Sequence, residues 1–167
     1  MQEQNRTYQG HALTYGDDIN TDIISPPQYM ELSVEDAAQY AMSAIDPDFA
    51  KKVDQDTILV VGKNFGSGSS RETSPLSLKL LGIRVIVAKF FARIFYRNAI
   101  NVGILVLECP DTDRVSDGDE LVIDVSSGLI QNLTKNEVYP CSKIPEHIMN
   151  LIQAGGLKEK LRGELTK

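Results

Sequence analysis

Gly62-Lys63-Asn64-Phe65-Gly66-Ser67-Gly68-Ser69-Ser70-Arg71-Glu72 lies between an apolar run, Thr57-Ile58-Leu59-Val60-Val61, and a segment of helical character that ends before Gly82. The run is short, β-branched and continuous, the pattern of a strand buried on both faces. The glycines therefore occupy a strand-to-helix turn, and the fold class is α/β. Glycine lets backbone N–H groups approach a ligand closely, and a helix N-terminus adds partial positive charge, so such a turn suits an anion. Arg71 can grip a carboxylate with paired hydrogen bonds, and a serine in that field ionises more readily than serine in water.

Two helix starts compete. Ser69-x-x-Glu72 matches a capping box, which would give these residues a purely structural role. A helix capped at Ser69 would, however, carry Pro75 in its second turn, against the carbonyl of Arg71. A start near Thr73 puts Pro75 in the first turn and leaves Ser69, Ser70 and Arg71 in the loop, facing outward.

Downstream, Leu76 and Leu80 predict an apolar helix stripe, Gly82 a C-cap, and Arg84-Val85-Ile86-Val87-Ala88 a second buried strand. Strand, crossover helix and strand make a right-handed βαβ unit. Phe91, Ile94, Phe95, Ala99 and Val102 recur at three- or four-residue spacings and predict a core-facing helix over 91–101. Arg93 and Arg97 share another face, where solvation is the simpler role. Ile104 to Leu107 reads as a third buried strand. Glu120 to Val125 and Leu129 to Leu133, joined through Ser126-Ser127-Gly128, read as an outer antiparallel hairpin. Ile144 to Ile152 and Leu157 to Leu161 read as short helices broken at Gly155-Gly156.

Upstream, the first dozen residues are polar and expected to fray, except that Gln9 to Tyr15 alternates weakly enough for an edge strand. Asp17-Asp18-Ile19-Asn20-Thr21-Asp22 is rich in turn-forming side chains, and its spacing alone reads as a solvated loop. Ser25-Pro26-Pro27-Gln28 forces an extended path. Ser33 or Asp36 caps a helix expected to run to about Ala44, before Asp46-Pro47-Asp48 breaks it.

The 167 residues, 42% of them hydrophobic, suffice for one core, so a single domain is expected over 1–167, with an ordered core at about 10–162 and mobile termini. A formal charge of −6 argues against nucleic-acid or anionic-membrane partners. No apolar stretch approaches the roughly 20 residues of a membrane span, so a soluble cytoplasmic protein is expected. Cys109, Cys141, His11 and His147 are widely separated, and an iron–sulfur cluster needs three or four thiolates, so this chain is expected to bind no metal. Both cysteines read as free thiols.

The turn matches neither a P-loop nor G-x-G-x-x-G. The longer combination is more specific: Asn64 to Glu72, with Phe91-Ala92-Arg93-Ile94-Phe95-Tyr96-Arg97-Asn98-Ala99-Ile100-Asn101-Val102-Gly103 and Gly16-Asp17-Asp18-Ile19-Asn20-Thr21-Asp22. It resembles the swivelling-domain subunits of the aconitase superfamily, and among them the 3-isopropylmalate dehydratase small subunits, from about Gly10 to Arg162. The resemblance implies a swivelling β/β/α domain with a parallel βαβ core and an added β-hairpin. It implies a hydro-lyase of leucine biosynthesis that isomerises 2- and 3-isopropylmalate by dehydration and rehydration. A large-subunit partner, in a heterodimer or heterotetramer, would carry a four-iron four-sulfur cluster and help bind a small hydroxy-dicarboxylate substrate. By the same resemblance Ser69 is the base, Ser70 and Arg71 bind substrate, and Asp22 lies close by.

Three departures from the family pattern stand out. Ser67 replaces a frequent cysteine, and Thr73-Ser74-Pro75 replaces a common His-Ala-Pro. The loop that sets substrate choice reads Gln28, Tyr29, Met30, Glu31, Leu32, without the usual arginine. An isopropylmalate is the expected substrate, with 2,3-dimethylmalate and homoaconitase-type acids as alternatives. A non-catalytic anion-binding module is the alternative of another class.

Overall fold

Among the described residues seven strands form one sheet: β1 (Thr7–Thr14), β2 (Thr57–Val60), β3 (Val85–Ala88), β4 (Leu105–Glu108), β5 (Glu120–Asp124), β6 (Leu129–Asn132) and β7 (Glu137–Pro140). Their order is β4-β3-β2-β1-β5-β6-β7 in the computed structural model, which describes residues 6–166. β1 to β4 run parallel, and β5 to β7 continue from β1 as an antiparallel meander. β2 and β3 are buried at every residue, as an apolar run covered on both faces requires. Helices α4 (Thr73–Leu81) and α5 (Arg93–Asn101) make the crossovers from β2 to β3 and from β3 to β4, and Gly82 ends α4 at φ +116° as the expected C-cap.

The α/β class, the parallel βαβ core and the added hairpin all match expectation. Four details do not. The strand expected at the sheet edge is β1, which is central: His11 to Thr14 pair with Thr57 to Val60, while Thr7 to His11 pair with β5. Its weak alternation reports its polar side chains, whereas its place is decided by partners far away in the chain. The helix expected to reach Ala44 stops early. Ser33 caps α2 (Val34–Ala38) through the Asp36 N–H at 3.1 Å, and successive turns follow to Ile45.

The third correction concerns α4, whose buried residues are Ser74, Pro75, Ser77 and Leu78, while Leu80 is exposed. Its small, hydroxyl-bearing face packs inward because α2 and α5 close over it. Fourth, Ile94 points outward from α5 and Phe95 takes the core position. The pattern missed β7 altogether, because Glu137-Val138-Tyr139-Pro140 is too short and mixed to announce a strand. The remaining helices are α1 (Thr21–Ile24), α3 (Phe49–Lys52), α6 (Glu146–Gln153) and α7 (Leu157–Leu165). Of the ends expected to fray outside about 10–162, β1 already begins at Thr7 and α7 runs to Leu165, while residues 1–5 and 167 lie outside the described residues.

A buried carboxylate ties the meander together. Asp119 accepts hydrogen bonds from Asn132 Nδ2 at 2.8 Å and the Ser116 N–H at 2.9 Å, with Lys135 Nζ at 3.5 Å. Burial pushes its pKa up, but these donors outweigh burial and hold the carboxyl below its ordinary value. A depressed folded pKa contributes stability above the unfolded value near 4, and that stability is lost as pH falls through the folded value. Asp119→Asn is therefore expected to cost on the order of 2–4 kcal/mol near neutral pH and less in acid. Thermal unfolding of both proteins from pH 7 to pH 2.5 checks this, since a gap that stays constant with pH would rule out the charged form as the source.

Candidate active site

The turn from Gly62 to Glu72 leaves the C-terminal end of β2 and is held from two sides. On one side the Lys89 N–H bonds Gly62 O at 3.0 Å and the Ala92 N–H bonds Phe65 O at 2.9 Å. Phe65 meets Phe91 and Phe95 edge-on, with ring centroids 6.1 and 5.1 Å away. Gly66, at φ +87°, passes so close to Phe95 that an added Cβ would fall 2.2 Å from the ring.

On the other side lies the segment expected to be a solvated loop, and the structure corrects that expectation. Asp17 Oδ1 accepts the Lys63 N–H at 2.8 Å, Ile19 O accepts the Gly66 N–H at 2.8 Å, and Ser67 O accepts the Thr21 N–H at 2.8 Å. Asp17 and Asp18 are exposed yet tied to the glycine turn: Asp17 meets a backbone donor there, and Asp18 Oδ1 accepts from Asn64 Nδ2 at 3.3 Å. Asn20 then caps α1 by accepting the Ile23 N–H at 2.9 Å, which fixes Thr21 and Asp22 beside the turn.

The serines emerge from this frame. Ser69 and Ser70 are exposed, and α4 begins at Thr73 with Pro75 in its first turn. The capping box does not form: no side chain caps α4, and Ser69 Oγ instead lies 3.3 Å from Thr21 Oγ1. Arg71 reaches back, its Nη2 2.9 Å from Asp22 Oδ1 and its Nη1 donating to Ser25 O at 3.2 Å. Two pairing groups on one guanidinium orient it. Thr21, Ser69, Ser70, Arg71, Arg93 and Asn98 line an open cleft of about 200 Å³.

A second pocket of about 140 Å³ adjoins it, and Arg71 lines both. Its other walls are mainly apolar, including Pro26, Tyr29, Met30, Leu32 and Ala37. Residues Pro27–Tyr29 form a single turn of 3₁₀ helix, and Tyr29 stacks on Tyr40 with centroids 3.9 Å apart. Of the five loop positions singled out in the sequence, Tyr29, Met30 and Leu32 line this pocket, while Gln28 and Glu31 are exposed and do not. Ser69, Ser70, Arg71 and Asp22 are brought together as a group.

Thr21, Arg93 and Asn98 were not picked out as site residues. Topology offered a signal for Arg93: loops after neighbouring parallel strands open on one sheet edge, so the segment following β3 had to face the glycine turn. Cys109 is buried and Cys141 half-buried, and neither lines the cleft. Burial raises both thiol pKa values, that of Cys141 to about 11 with help from neighbouring Cys109 and Asp124. Among the described residues no group of three or more His, Cys, Asp or Glu side chains is placed to hold a metal ion, so these donors do not fit an iron–sulfur cluster.

Residues 6–112 match the aconitase C-terminal domain family. The chain is 48% identical over 155 residues to the 3-isopropylmalate dehydratase small subunit of Methanosarcina acetivorans, covering 92% of this chain and 96% of that one. It is 46% identical over 160 residues to the isopropylmalate/citramalate isomerase small subunit of Methanocaldococcus jannaschii, covering 95% of each. A crystal structure of 3-isopropylmalate dehydratase from Methanocaldococcus jannaschii superposes with a TM-score of 0.89 at 38% identity, covering 96% of both chains. The chain belongs to the aconitase C-terminal domain family, among the 3-isopropylmalate dehydratase small subunits.

Proposed function

We propose that this chain is the cytoplasmic small subunit of a 3-isopropylmalate dehydratase, which isomerises 2- and 3-isopropylmalate by removing and re-adding water. The observation that carries the reading is the shared position of Arg71, between the cleft that Ser69, Ser70 and Arg93 line and the pocket walled by Pro26, Met30 and Leu32. A branched malate has that shape: carboxylates, a hydroxyl and an alkyl group on adjoining carbons. Arg71, steadied by Asp22 and Ser25, binds a carboxylate. The alkyl branch enters the pocket walled by Pro26, Met30, Leu32 and Ala37, and with no cationic side chain there except Arg71 a further carboxylate is disfavoured.

Ser69 takes the proton from the substrate carbon. That step needs a strong base, and neutral serine is a weak one, so the ionised oxygen depends on the donors around it: Arg71, Arg93 and the hydroxyl of Thr21. Ser70 contributes a second hydroxyl to the same wall. A four-iron four-sulfur cluster on the large subunit would supply the Lewis acid for loss of the hydroxyl. Each subunit then contributes half of the active site.

Anaerobic co-purification with the large subunit, followed by assays with 3-isopropylmalate, citramalate, 2,3-dimethylmalate and homocitrate, tests the reading. Turnover of 3-isopropylmalate by the complex and none by either subunit alone is expected. Turnover by this chain alone, or a preference for homocitrate, would overturn it.

A further inference from the structure

Thr21 is 3% exposed, yet it lines the cleft. Its backbone N–H is tied to Ser67 O at 2.8 Å, and it opens α1 directly behind the Asn20 cap. The side chain thus stands on a short helix bonded to the glycine turn itself. Its Oγ1 lies 3.3 Å from Ser69 Oγ, and a Cβ added to Gly68 would come within 3.2 Å of the same oxygen. Ser69 is different: it is exposed, follows Gly68 at φ +104°, and sits on a loop. A serine there has three staggered side-chain positions open to it, and one bond to an anchored hydroxyl selects among them.

We propose that Thr21 is a positioning residue for Ser69: its hydroxyl donates to Ser69 Oγ, aims that oxygen into the cleft and stabilises it when ionised. The proposal rests on the reading of Ser69 as base. The substrate proton goes to Ser69, and Thr21 keeps its own. The charged groups around the pair are Arg71 and Arg93 in the cleft and Asp22, paired with Arg71. Both cations favour ionised Ser69, and Thr21 adds the directional neutral donor that they do not provide.

The test uses the complex with the large subunit and compares Thr21→Val, Thr21→Ser and Ser69→Ala. Valine keeps the shape of threonine and removes the hydroxyl. Thr21→Val is expected to lower kcat for 3-isopropylmalate by about 10- to 100-fold while KM moves by less than about threefold. The acid limb of kcat/KM should shift to higher pH, because the base loses a donor to its charged form. Thr21→Ser should recover most of the rate and the original limb. Thr21→Ala, with the same expected split, replaces the valine variant where that variant folds poorly. A wild-type rate and pH profile for Thr21→Val, with Ser69→Ala inactive, overturns the role of Thr21 alone. Equal losses in Thr21→Ser and Thr21→Val also overturn it. A wild-type rate for Ser69→Ala overturns the base assignment and this proposal together.

Discussion

Ser69→Ala in the assembled enzyme is expected to lower kcat by roughly 10² to 10⁴, the range for loss of a positioned general base. Folding should be untouched, because Ser69 is exposed and caps no helix. Its hydroxyl makes a long contact, 3.3 Å, with Thr21 Oγ1. KM should change little, since the carboxylate clamp is Arg71 and that guanidinium is held by Asp22 and Ser25, not by Ser69. Steady-state kinetics, with thermal unfolding and co-purification yield as controls, checks the split. A rate near wild type would remove Ser69 as base, and an equal fall in unfolding temperature would recast it as a structural residue.

That separation between chemistry and scaffold reflects how the site is built. The bonds that shape the turn come from Asp17, Ile19, Thr21, Lys89 and Ala92, and none of them uses the side chain of Ser69, Ser70 or Arg71. The reacting side chains project from a frame already completed without them. Ser69 and Ser70 are therefore free to be exposed, and Arg71 is the one site residue with neighbours on both sides.

Much of this was legible in the residues. The continuous apolar runs identified the parallel strands, because burial on both faces leaves no polar alternation to mislead. Pro75 located the start of α4, since proline excludes the competing capping-box helix on steric grounds. The glycine turn was legible as a site through its serines and arginine. The rest depended on partners distant in sequence. β1 is central because it pairs with both β2 and β5, and the close approach of Asp56 O to Gly10, where a Cβ would fall 2.0 Å away, is a fact no local pattern carries. Asp17 resembles any solvated turn residue until the Lys63 N–H is found opposite it. Ile94 fits a helical apolar period, yet it is exposed at the cleft edge, so periodicity identified the helix and misassigned one of its faces.

The largest structural effect is expected from a single methyl group, in Gly66→Ala. At φ +87° an alanine is strained wherever it sits, which costs about 1–3 kcal/mol. Here its Cβ would also fall 2.2 and 2.3 Å from Cγ and Cβ of Phe95. Those atoms are the base of a side chain, close to the α5 backbone, and Phe95 is 3% exposed and packed against Phe65 and Phe91. Rotation cannot relieve the overlap, so α5 or the turn must move, at an overpacking cost of about 1–3 kcal/mol or more. The two costs together, roughly 2–6 kcal/mol, take a large share of the 5–15 kcal/mol that typically holds a domain together. A fall in Tm on the order of 10 °C follows for a chain of this size. Activity should fall further than stability, because the Gly66 N–H to Ile19 O bond links the turn to the loop carrying Thr21 and Asp22. Gly16→Ala is the matched control: an added Cβ there meets nothing within 4 Å, and its Tm should stay near that of the wild type. Equal Tm values for the two variants would show that the contact between the glycine turn and Phe95 does not hold the site in place.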